Sequence, residues 1–462
     1  MASPAGCMGT LYAMTLDASI FKAYDVRGIV PDQLDPDGAY RIARAYVEVF
    51  RAKRIAIGHD MRLSSPALAE AAIRGATDGG ADVAVLGEIG TEMLYFAVAD
   101  GGLDGGLIVT ASHNPAEYNG MKIVRAGAQP VGSASGLNEV KQMALGADPL
   151  PPVTTPGTAT PLDVLPAYAA KMLSLIDVDA IKPLKVVLDG GSGMAGRMLG
   201  PILEALPVET YPYFLEPDGA FPDHQPNPLL EENRQFIIGK VREHPGSIGI
   251  AWDGDADRCF FIDEEGEFVD GDFMTALIAE EVLKHHPGST ILYDIRASLA
   301  VPHTVERCGG TAEVSRVGHA FIKVAMKETG AAFAGEVSGH YYFREYYGVD
   351  TGILPALFVL QLVSTSGTTL HELLRPLRER YFITGEINST VSDVAVKLQE
   401  LKDRYGPGAR ISHLDGITIE LDTWRFNVRP SNTEPLLRLN LEAESEAEMV
   451  ERRDEVLGVI RS

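Results

Sequence analysis

The stretch Arg54-Ile55-Ala56-Ile57-Gly58-His59-Asp60 is an apolar run that ends in a carboxylate, and the chain repeats this pattern twice. The other copies are Leu184-Lys185-Val186-Val187-Leu188-Asp189 and Ile291-Leu292-Tyr293-Asp294. A short apolar run bounded by polar residues is typical of a buried strand. Each copy is followed by a helix-compatible segment and then by a second strand-like run, at residues 82–86, 208–214 and 311–317. The repeated strand–helix–strand order predicts three related α/β units.

The chain length and the linkers predict how these units are divided. A chain of 462 residues exceeds the roughly 250–300 residues at which a single core stops growing. Residues 147–162 are rich in Pro and Thr, and residues 364–369 are mostly Ser and Thr, so both are predicted boundaries. Strand-like runs and a helix from about Ser445 then close the chain. We predict three mixed α/β domains and a C-terminal α+β domain, at residues 1–155, 156–264, 265–367 and 368–462.

The composition argues against several classes of function. A net charge of −24 opposes a general nucleic-acid surface, although local Arg and Lys residues can still attract a small anion into a cleft. The three cysteines, Cys7, Cys259 and Cys308, form no C-x-x-C pair, so neither a disulfide framework nor a zinc site is indicated. The first twenty residues lack Lys and Arg, and the longest mostly apolar run, residues 352–363, is shorter than the ~18–20 residues that span a bilayer. We expect a cytoplasmic enzyme without a nucleic-acid or membrane partner.

A serine stands at the end of a further predicted strand. The apolar run Gly106-Leu107-Ile108-Val109 leads into Thr110-Ala111-Ser112-His113-Asn114-Pro115. Serine is a poor nucleophile unless a base or a charged environment activates it. The dipeptide Asn119-Gly120 predicts a hairpin turn that brings Lys122 back beside Ser112, where Lys122 is a candidate general acid or base. The alternatives are a turn-capping serine and a solvated lysine.

Three alternating carboxylates, Asp253, Asp255 and Asp257, follow the apolar residues 248–252. Carboxylates this close repel one another unless a cation or a basic group compensates. Hard oxygen ligands on a short loop suit Mg²⁺. A calcium loop is the rival, because Glu264 is twelfth from Asp253, but its sixth position is Arg258 rather than Gly. A solvated acidic turn is the other alternative.

Two further turns carry polar side chains. Arg429-Pro430-Ser431-Asn432-Thr433 offers a guanidinium fork, hydroxyls and an amide, which suit a phosphate group, although an ordinary Pro-bounded loop is the alternative. In Gly335-Glu336-Val337-Ser338-Gly339-His340, Glu336 and Ser338 point to the same side if the segment is extended, where both can hydrogen-bond vicinal hydroxyls. The serine, the carboxylates and these donors together indicate phosphoryl transfer.

Taken together, these motifs resemble the α-D-phosphohexomutase family, in its bacterial phosphomannomutase/phosphoglucomutase branch. The resemblance runs from Lys22-Ala23-Tyr24-Asp25-Val26-Arg27-Gly28 through the four motifs above, in the order of the family. It implies a TATA-binding-protein-like fourth domain and a central cleft. It also implies a phosphoserine at Ser112, and Mg²⁺ held by that phosphate and the three aspartates.

The resemblance also implies roles for individual side chains. The implied catalytic residues are Lys122 as general acid/base, with Tyr24, Arg27, His113 and Arg258 around the reacting phosphate. The implied substrate-binding residues are His319, Glu336, Ser338 and His340 for the sugar, and Arg429, Ser431, Asn432 and Thr433 for the phosphate that does not react. Arg296 stands where several relatives carry a cleft lysine, which keeps the charge and changes the donor geometry.

The activity implied by the resemblance moves phosphate between O6 and O1 of a hexose, mannose or glucose. Phospho-Ser112 makes a hexose 1,6-bisphosphate, which also serves as activator, and the only expected partner is a small phosphosugar bound by a monomer or weak dimer. The turn reads Glu-Val-Ser rather than the Glu-Gln-Ser usual for phosphoglucosamine mutases. Three alternatives stay open: a phosphoglucosamine mutase, a metal-dependent sugar phosphatase, and a non-catalytic sugar-phosphate-binding protein.

Overall fold

The computed structural model describes residues 16–146, 150, 153–430 and 436–462. These residues form four sheets, one in each of four successive units of the chain. The first three units combine parallel and antiparallel pairing, and the fourth is antiparallel throughout. The predicted fold class is confirmed, whereas the exact domain boundaries stay predictions.

The first unit is a mixed sheet with both faces buried. Its strands are β1 Val26–Ile29, β2 Arg54–His59, β3 Asp82–Glu88, β4 Gly105–Val109, β5 Tyr118–Arg125, β6 Gln129–Pro130 and β7 Ala159–Pro161. Its helices are α1 Pro36–Phe50, α2 Ser65–Asp78, α3 Thr91–Asp100 and α4 Leu137–Leu145. The strand order is β1-β5-β4-β2-β3-β7, with β6 on β5. The edge strand β7 forms inside the predicted linker, so part of that segment belongs to the sheet.

The second unit has five strands in the order β12-β11-β10-β8-β9. They are β8 Lys185–Asp189, β9 Glu209–Tyr213, β10 Ser247–Trp252, β11 Cys259–Ile262 and β12 Phe268–Val269. The helices of this unit are α5 Leu165–Ser174, α6 Ala195–Leu203 and α7 Glu231–Glu243. Strand β11 follows the aspartates directly, as it must if they form a tight turn rather than a calcium loop.

The third unit has the order β14-β13-β15-β16-β17. Its strands are β13 Thr290–Asp294, β14 Thr311–Ser315, β15 Phe333–Gly335, β16 Tyr341–Phe343 and β17 Val349–Thr351. Its helices are α8 Gly271–His285, α9 Ala300–Arg307, α10 His319–Thr329, α11 Ile353–Ser366 and α12 Leu370–Arg378. No single helix among the described residues is long and apolar enough to cross a bilayer; α11 and α12 reach that length and composition only as a pair, bent by 94°.

The fourth unit is an antiparallel sheet in the order β18-β22-β21-β20-β19. The strands are β18 Phe382–Thr390, β19 Arg410–Ser412, β20 Ile417–Glu420, β21 Trp424–Pro430 and β22 Leu436–Ala443. Two helices complete it, α13 Val394–Tyr405 and α14 Glu446–Arg461. Ser445 caps α14 by accepting a hydrogen bond from the Glu448 N–H, as its position in the sequence predicts.

The first three units repeat one topology. In each, a middle strand (β2, β8 or β13) has a parallel neighbour on either side, and the second neighbour turns back through a hairpin. The hairpin loops are residues 110–117, 253–258 and 336–340, which contain the three central motifs of the sequence. The internal repeat therefore places these motifs at equivalent positions of three sheets.

The hydrophobic core explains how the three repeats are held together. Alternate residues of a strand face opposite sides of the sheet. On one side, Ile108, Leu188 and Ile291 belong to a single buried cluster shared by the first three units. The other faces carry separate clusters, and the fourth unit has its own around Phe426. The fourth unit therefore has a core separate from the one that joins the first three units.

Candidate active site

The hairpin loops of the first three units meet at one place. Ser112 Oγ, in the first loop, donates to Asp253 Oδ2 in the second at 2.8 Å. His340 Nε2, in the third loop, lies 3.7 Å from Asp257 Oδ1. Three equivalent loops thus supply the three sets of side chains that the sequence motifs indicate.

Ser112 is held in an unfavourable backbone conformation and is nearly buried. Its φ of 49° lies in the left-handed region, which costs a non-glycine residue about 1–2 kcal/mol. The Ser112 N–H donates to Thr110 Oγ1 at 2.9 Å, and the Oγ lies 3.2 Å from His113 Nδ1. These contacts direct the hydroxyl towards the carboxylates of the second unit.

The structure confirms the hairpin after Ser112 and corrects its turn. Strands β4 and β5 pair antiparallel, with Ile108 opposite Lys122. The predicted turn at Asn119-Gly120 is wrong, because both residues lie inside β5. Glycine is required there by packing, since a Cβ at this position would lie 1.9 Å from the Val26 carbonyl oxygen of β1.

Arg62, which the sequence motifs did not identify, fastens the Ser112 loop. Its guanidinium is fully buried and donates to three carbonyl oxygens of that loop and to one at the start of β5. The acceptors are Ser112 and Asn114 at 2.7 and 2.6 Å and Pro115 and Tyr118 at 2.7 and 3.0 Å. The repeat held a signal for it, because Asp60-Met61-Arg62 and Asp294-Ile295-Arg296 share the spacing Asp-x-Arg at the end of the middle strand.

The three aspartates form a buried cluster suited to a hard cation. Asp253, Asp255 and Asp257 each offer an oxygen within 4.8 Å of the others, and none is more than 1% exposed. Both oxygens of Asp253 accept a hydrogen bond, Oδ2 from Ser112 Oγ and Oδ1 from the Arg258 N–H. Oδ1 of Asp255 and Oδ1 of Asp257 are buried without a hydrogen-bond partner among the described residues. Buried acceptors without a donor are costly unless a cation binds them, so the residues present fit a divalent metal ion.

The protonation of the cluster leads to the same interpretation. Burial raises the pKa of Asp253 well above its usual range, and repulsion from Asp257 and Asp255 adds to the effect. Burial and the charge of Asp255 likewise raise the pKa of Asp257 to about 7. Burial also opposes ionisation of Asp255, but the neighbouring Lys122 outweighs it and lowers that pKa to about 2. The positive charge present does not keep all three carboxylates ionised, and a divalent cation would supply the charge that is missing.

Lys122 lies against the acidic cluster rather than in solvent. Its Nζ is 2.7 Å from Asp255 Oδ2 and also contacts Asp257 Oδ2. Burial disfavours the ammonium, but the two carboxylates overcome that penalty and raise the pKa of Lys122 well above its usual value. The side chain therefore carries a proton close to the serine loop.

A group of basic and polar side chains borders the Ser112 loop on another side. Arg258 Nε lies 3.2 Å from Asp253 Oδ2, and its guanidinium contacts His113 Nδ1. Arg27 donates to Asn114 Oδ1 at 2.5 Å. Burial and the nearby charge of Arg27 lower the pKa of Arg258 to about 9. Two guanidinium groups beside a serine form a binding environment for a phosphoryl group.

The third loop is tied to the neighbouring elements of its own unit. Glu336 is buried, and its two oxygens accept from the Gly318 N–H at 3.0 Å and from Tyr342 OH at 2.6 Å. Ser338 Oγ lies 2.9 Å from His340 Nδ1. Burial, with repulsion from Asp294, raises the pKa of Glu336 to about 7, although Arg296 opposes the shift.

The two cleft histidines are neutral neighbours. His319, at the start of α10, and His340 have ring centroids 6.0 Å apart, and Tyr24 of the first unit contacts the edge of His319 at the same separation. Burial lowers the pKa of both imidazoles well below the usual value, and positive neighbours, first Lys323 for His319 and Arg258 for His340, lower them further. Both rings can therefore exchange hydrogen bonds with a neutral hydroxyl.

The two arginines of the predicted substrate site, Arg296 and Arg429, are paired with acids in this structure. Arg296 makes a two-pronged contact with Asp294, at 2.9 Å for each bond. Arg429 donates to Glu386 Oε2 at 2.8 Å, and Arg296 lies 3.6 Å from the same oxygen. Glu386 thus connects the third unit to the fourth, which the motifs did not indicate. Ser431, Asn432 and Thr433 lie outside the described residues.

Comparison with known proteins places the whole chain in one family. Four family models match in succession: the phosphoglucomutase/phosphomannomutase alpha/beta/alpha domains I, II and III at residues 18–146, 166–266 and 270–381, and the C-terminal domain at residues 386–459. A phosphomannomutase of Salmonella montevideo is 42% identical over 451 residues, covering 96% of this chain and 99% of the relative.

Two further relatives agree with these matches. A protein of Xanthomonas campestris named phosphohexose mutases is 41% identical, covering 97% of this chain and all of the relative. The crystal structure of a phosphoglucomutase/phosphomannomutase family protein from Burkholderia thailandensis superposes with a TM-score of 0.88 at 32% identity, covering 96% of this chain and 97% of that one. The chain therefore belongs to the phosphoglucomutase/phosphomannomutase family of α-D-phosphohexomutases.

Proposed function

We propose that this chain is a hexose-phosphate mutase that interconverts the 6-phosphate and 1-phosphate of mannose or glucose through a phosphoserine at Ser112. The observation that carries the proposal is the contact of Ser112 Oγ with Asp253 inside a buried carboxylate cluster with two free oxygens. The names of the relatives support the reaction class.

Phosphoryl transfer needs charge neutralisation and alignment more than bond-making side chains. Asp253, Asp255 and Asp257 would hold Mg²⁺ together with the Ser112 phosphate, and the ion would neutralise charge on the phosphoryl oxygens. Arg27 and Arg258 would offer guanidinium donors to that phosphate.

In the first half-reaction the bond between phosphorus and Ser112 Oγ breaks, and a bond to the free sugar hydroxyl forms. Ser112 Oγ gains a proton from Lys122, the proposed general acid/base, and Lys122 recovers a proton from the sugar hydroxyl. The product is the hexose 1,6-bisphosphate. After that intermediate turns over, its other phosphoryl group returns to Ser112 by the reverse steps. Glu336, Ser338, His319 and His340 are the proposed sugar contacts.

The second phosphate of the substrate is assigned to Arg429 and its loop. In this structure Glu386 is paired with the Arg429 guanidinium. For Arg429 to bind the substrate phosphate, this ion pair must break, or the guanidinium must contact Glu386 and the phosphate at the same time. Arg296, which lies 3.6 Å from Glu386 Oε2, is a further proposed contact of the substrate. Mg²⁺ as the metal, the bisphosphate as activator, a monomer or weak dimer and a cytoplasmic location are further parts of the proposal.

A coupled assay with three outputs tests the proposal. The protein is supplied with Mg²⁺, a trace of glucose 1,6-bisphosphate and the 1-phosphate of mannose, glucose or glucosamine. We expect 6-phosphate from mannose or glucose without free phosphate. Faster turnover of glucosamine 1-phosphate indicates a phosphoglucosamine mutase, stoichiometric free phosphate indicates a phosphatase, and binding without product indicates a non-catalytic protein; each overturns the proposal. Ser112→Ala, with the exposed Ser392→Ala as matched control, links any activity to this site.

A further inference from the structure

The start of α3 in the first unit packs directly on the acidic loop of the second. The Thr91 N–H donates to the Asp255 carbonyl oxygen at 3.1 Å, and Thr91 Oγ1 donates to Asp255 Oδ2 at 2.5 Å. Gly90 makes this approach possible, because a Cβ there would lie 2.2 Å from Met198 Sδ and 3.1 Å from the Asp255 carbonyl oxygen. Thr91 itself is fully buried.

The hydroxyl of Thr91 determines which oxygen of Asp255 is free. Oδ2 accepts from Thr91 Oγ1 and from Lys122 Nζ, whereas Oδ1 has no partner among the described residues. In Asp257, too, one oxygen is held and the other is free. Lys122 contacts Oδ2, and Oδ1 has no hydrogen-bond partner among the described residues. Asp255 is thus a carboxylate of the second unit whose Oδ2 is held by two donors of the first unit.

We infer that Thr91 is a positioning residue for the metal ion: its hydroxyl locks the Asp255 carboxylate so that Oδ1 faces the cation. The inference rests on the proposed metal site of the three aspartates. Groups that hydrogen-bond to metal-ligating side chains typically change metal affinity 10- to 100-fold when they are removed. Through this contact the metal site is completed only when the first and second units are packed together.

A purely structural role for Thr91 must be separated from this one, because α3 also joins the units elsewhere. Tyr168 OH donates to Glu92 Oε1 at 2.5 Å, and Tyr346 OH donates to the Glu92 carbonyl oxygen at 2.8 Å. Tyr346→Phe therefore removes one buried hydrogen bond from the same end of α3 without touching a carboxylate of the cluster. It is the matched control for Thr91→Val.

The test is a titration of the full-length protein with Mn²⁺, with free Mn²⁺ followed by electron paramagnetic resonance. Ser112 phosphorylation is brought to the same level in every variant and checked by intact mass. We expect Thr91→Val to bind Mn²⁺ about 10- to 100-fold more weakly. Thr91→Ser, which keeps the hydroxyl, should bind close to wild type, and Tyr346→Phe should keep wild-type affinity while its melting temperature falls.

The outcomes distinguish this inference from the function on which it rests. Absence of Mn²⁺ binding by the wild type refutes the metal site itself, and the Thr91 inference with it. If the wild type binds and Thr91→Val binds equally well, only the role of Thr91 is refuted. Equal weakening by Thr91→Val and Tyr346→Phe shows a general packing effect and also refutes it. If Thr91→Val does not fold, Thr91→Cys, a weak donor of similar size, takes its place with the same expectation.

Discussion

Replacement of Arg62 by Lys should loosen the loop that carries Ser112. The substitution keeps the charge beside Asp60 but replaces a planar fork by a point donor. The guanidinium now serves four carbonyl oxygens, and an ammonium has three hydrogens on a differently shaped side chain. One or two buried carbonyls therefore lose a charged donor.

The magnitude follows from those lost contacts. A hydrogen bond to a charged group contributes about 1.5–3 kcal/mol, so Arg62→Lys should lower the free energy of unfolding by roughly 2–4 kcal/mol. The effect on activity has a separate cause, because Ser112 keeps its left-handed φ only while its loop is held. Misplacement of a reacting group by ~1 Å costs about 100-fold in rate. We expect kcat to fall by about that factor, with a smaller change in KM.

The assay pairs steady-state mutase kinetics with thermal unfolding. Arg74→Lys is the matched control, because Arg74 is exposed on α2 and pairs with Glu70, four residues before it. It should stay within about 0.5 kcal/mol of wild type. An Arg62→Lys protein with the melting temperature and kcat of the control would show that the four carbonyl contacts do not hold the nucleophile.

Three further predictions follow from other contacts. Gly254→Ala should lower kcat at least about tenfold with little change in the free energy of unfolding, because its Cβ would lie 2.5 Å from the Ser112 carbonyl oxygen and displace the serine loop. Gly239→Ala, with open space around the added Cβ, is the control, and equal kcat values for the two variants would contradict the prediction. Burial raises the pKa of Glu92 to about 8, so the folded protein keeps this carboxyl protonated where the unfolded chain has lost the proton. The free energy of unfolding of the wild type should therefore fall, relative to that of Glu92→Gln, by on the order of 1 kcal/mol per pH unit as pH rises from about 4.5 to 8. A constant difference in unfolding free energy between the two proteins across that range would contradict this. Arg429→Ala should lower kcat/KM roughly tenfold or more in both directions, because each substrate uses the same phosphate grip in turn; a wild-type KM in each direction would make Arg429 a purely structural residue.

The sequence predicted the elements whose signal is local. Strands that end in Asp60, Asp189 and Asp294 are visible because a buried strand is a continuous apolar run. The turn at Asn119-Gly120 failed because its glycine serves packing between strands, and a contact with Val26, remote in sequence, leaves no local trace.

Contacts between units were the part that could not be predicted. Arg62 was overlooked although its spacing from Asp60 repeats in Asp294 and Arg296, because its partners are backbone carbonyls rather than a motif. Glu386 lies on an ordinary strand, and only the folded chain shows it among three arginines, Arg296, Arg429 and Arg438. The assigned roles of the site residues, unlike their positions, stay predictions.

The most direct test of the account is to locate and then discharge the phosphoryl group on the protein. The chain is incubated with ³²P-labelled glucose 1,6-bisphosphate and Mg²⁺, the labelled peptide is identified by mass spectrometry, and unlabelled mannose 1-phosphate or glucose 1-phosphate is then added. The account predicts one labelled phosphate at Ser112 that passes to the sugar without appearing as inorganic phosphate. Label on another residue, or label released as inorganic phosphate at the rate of discharge, would contradict it.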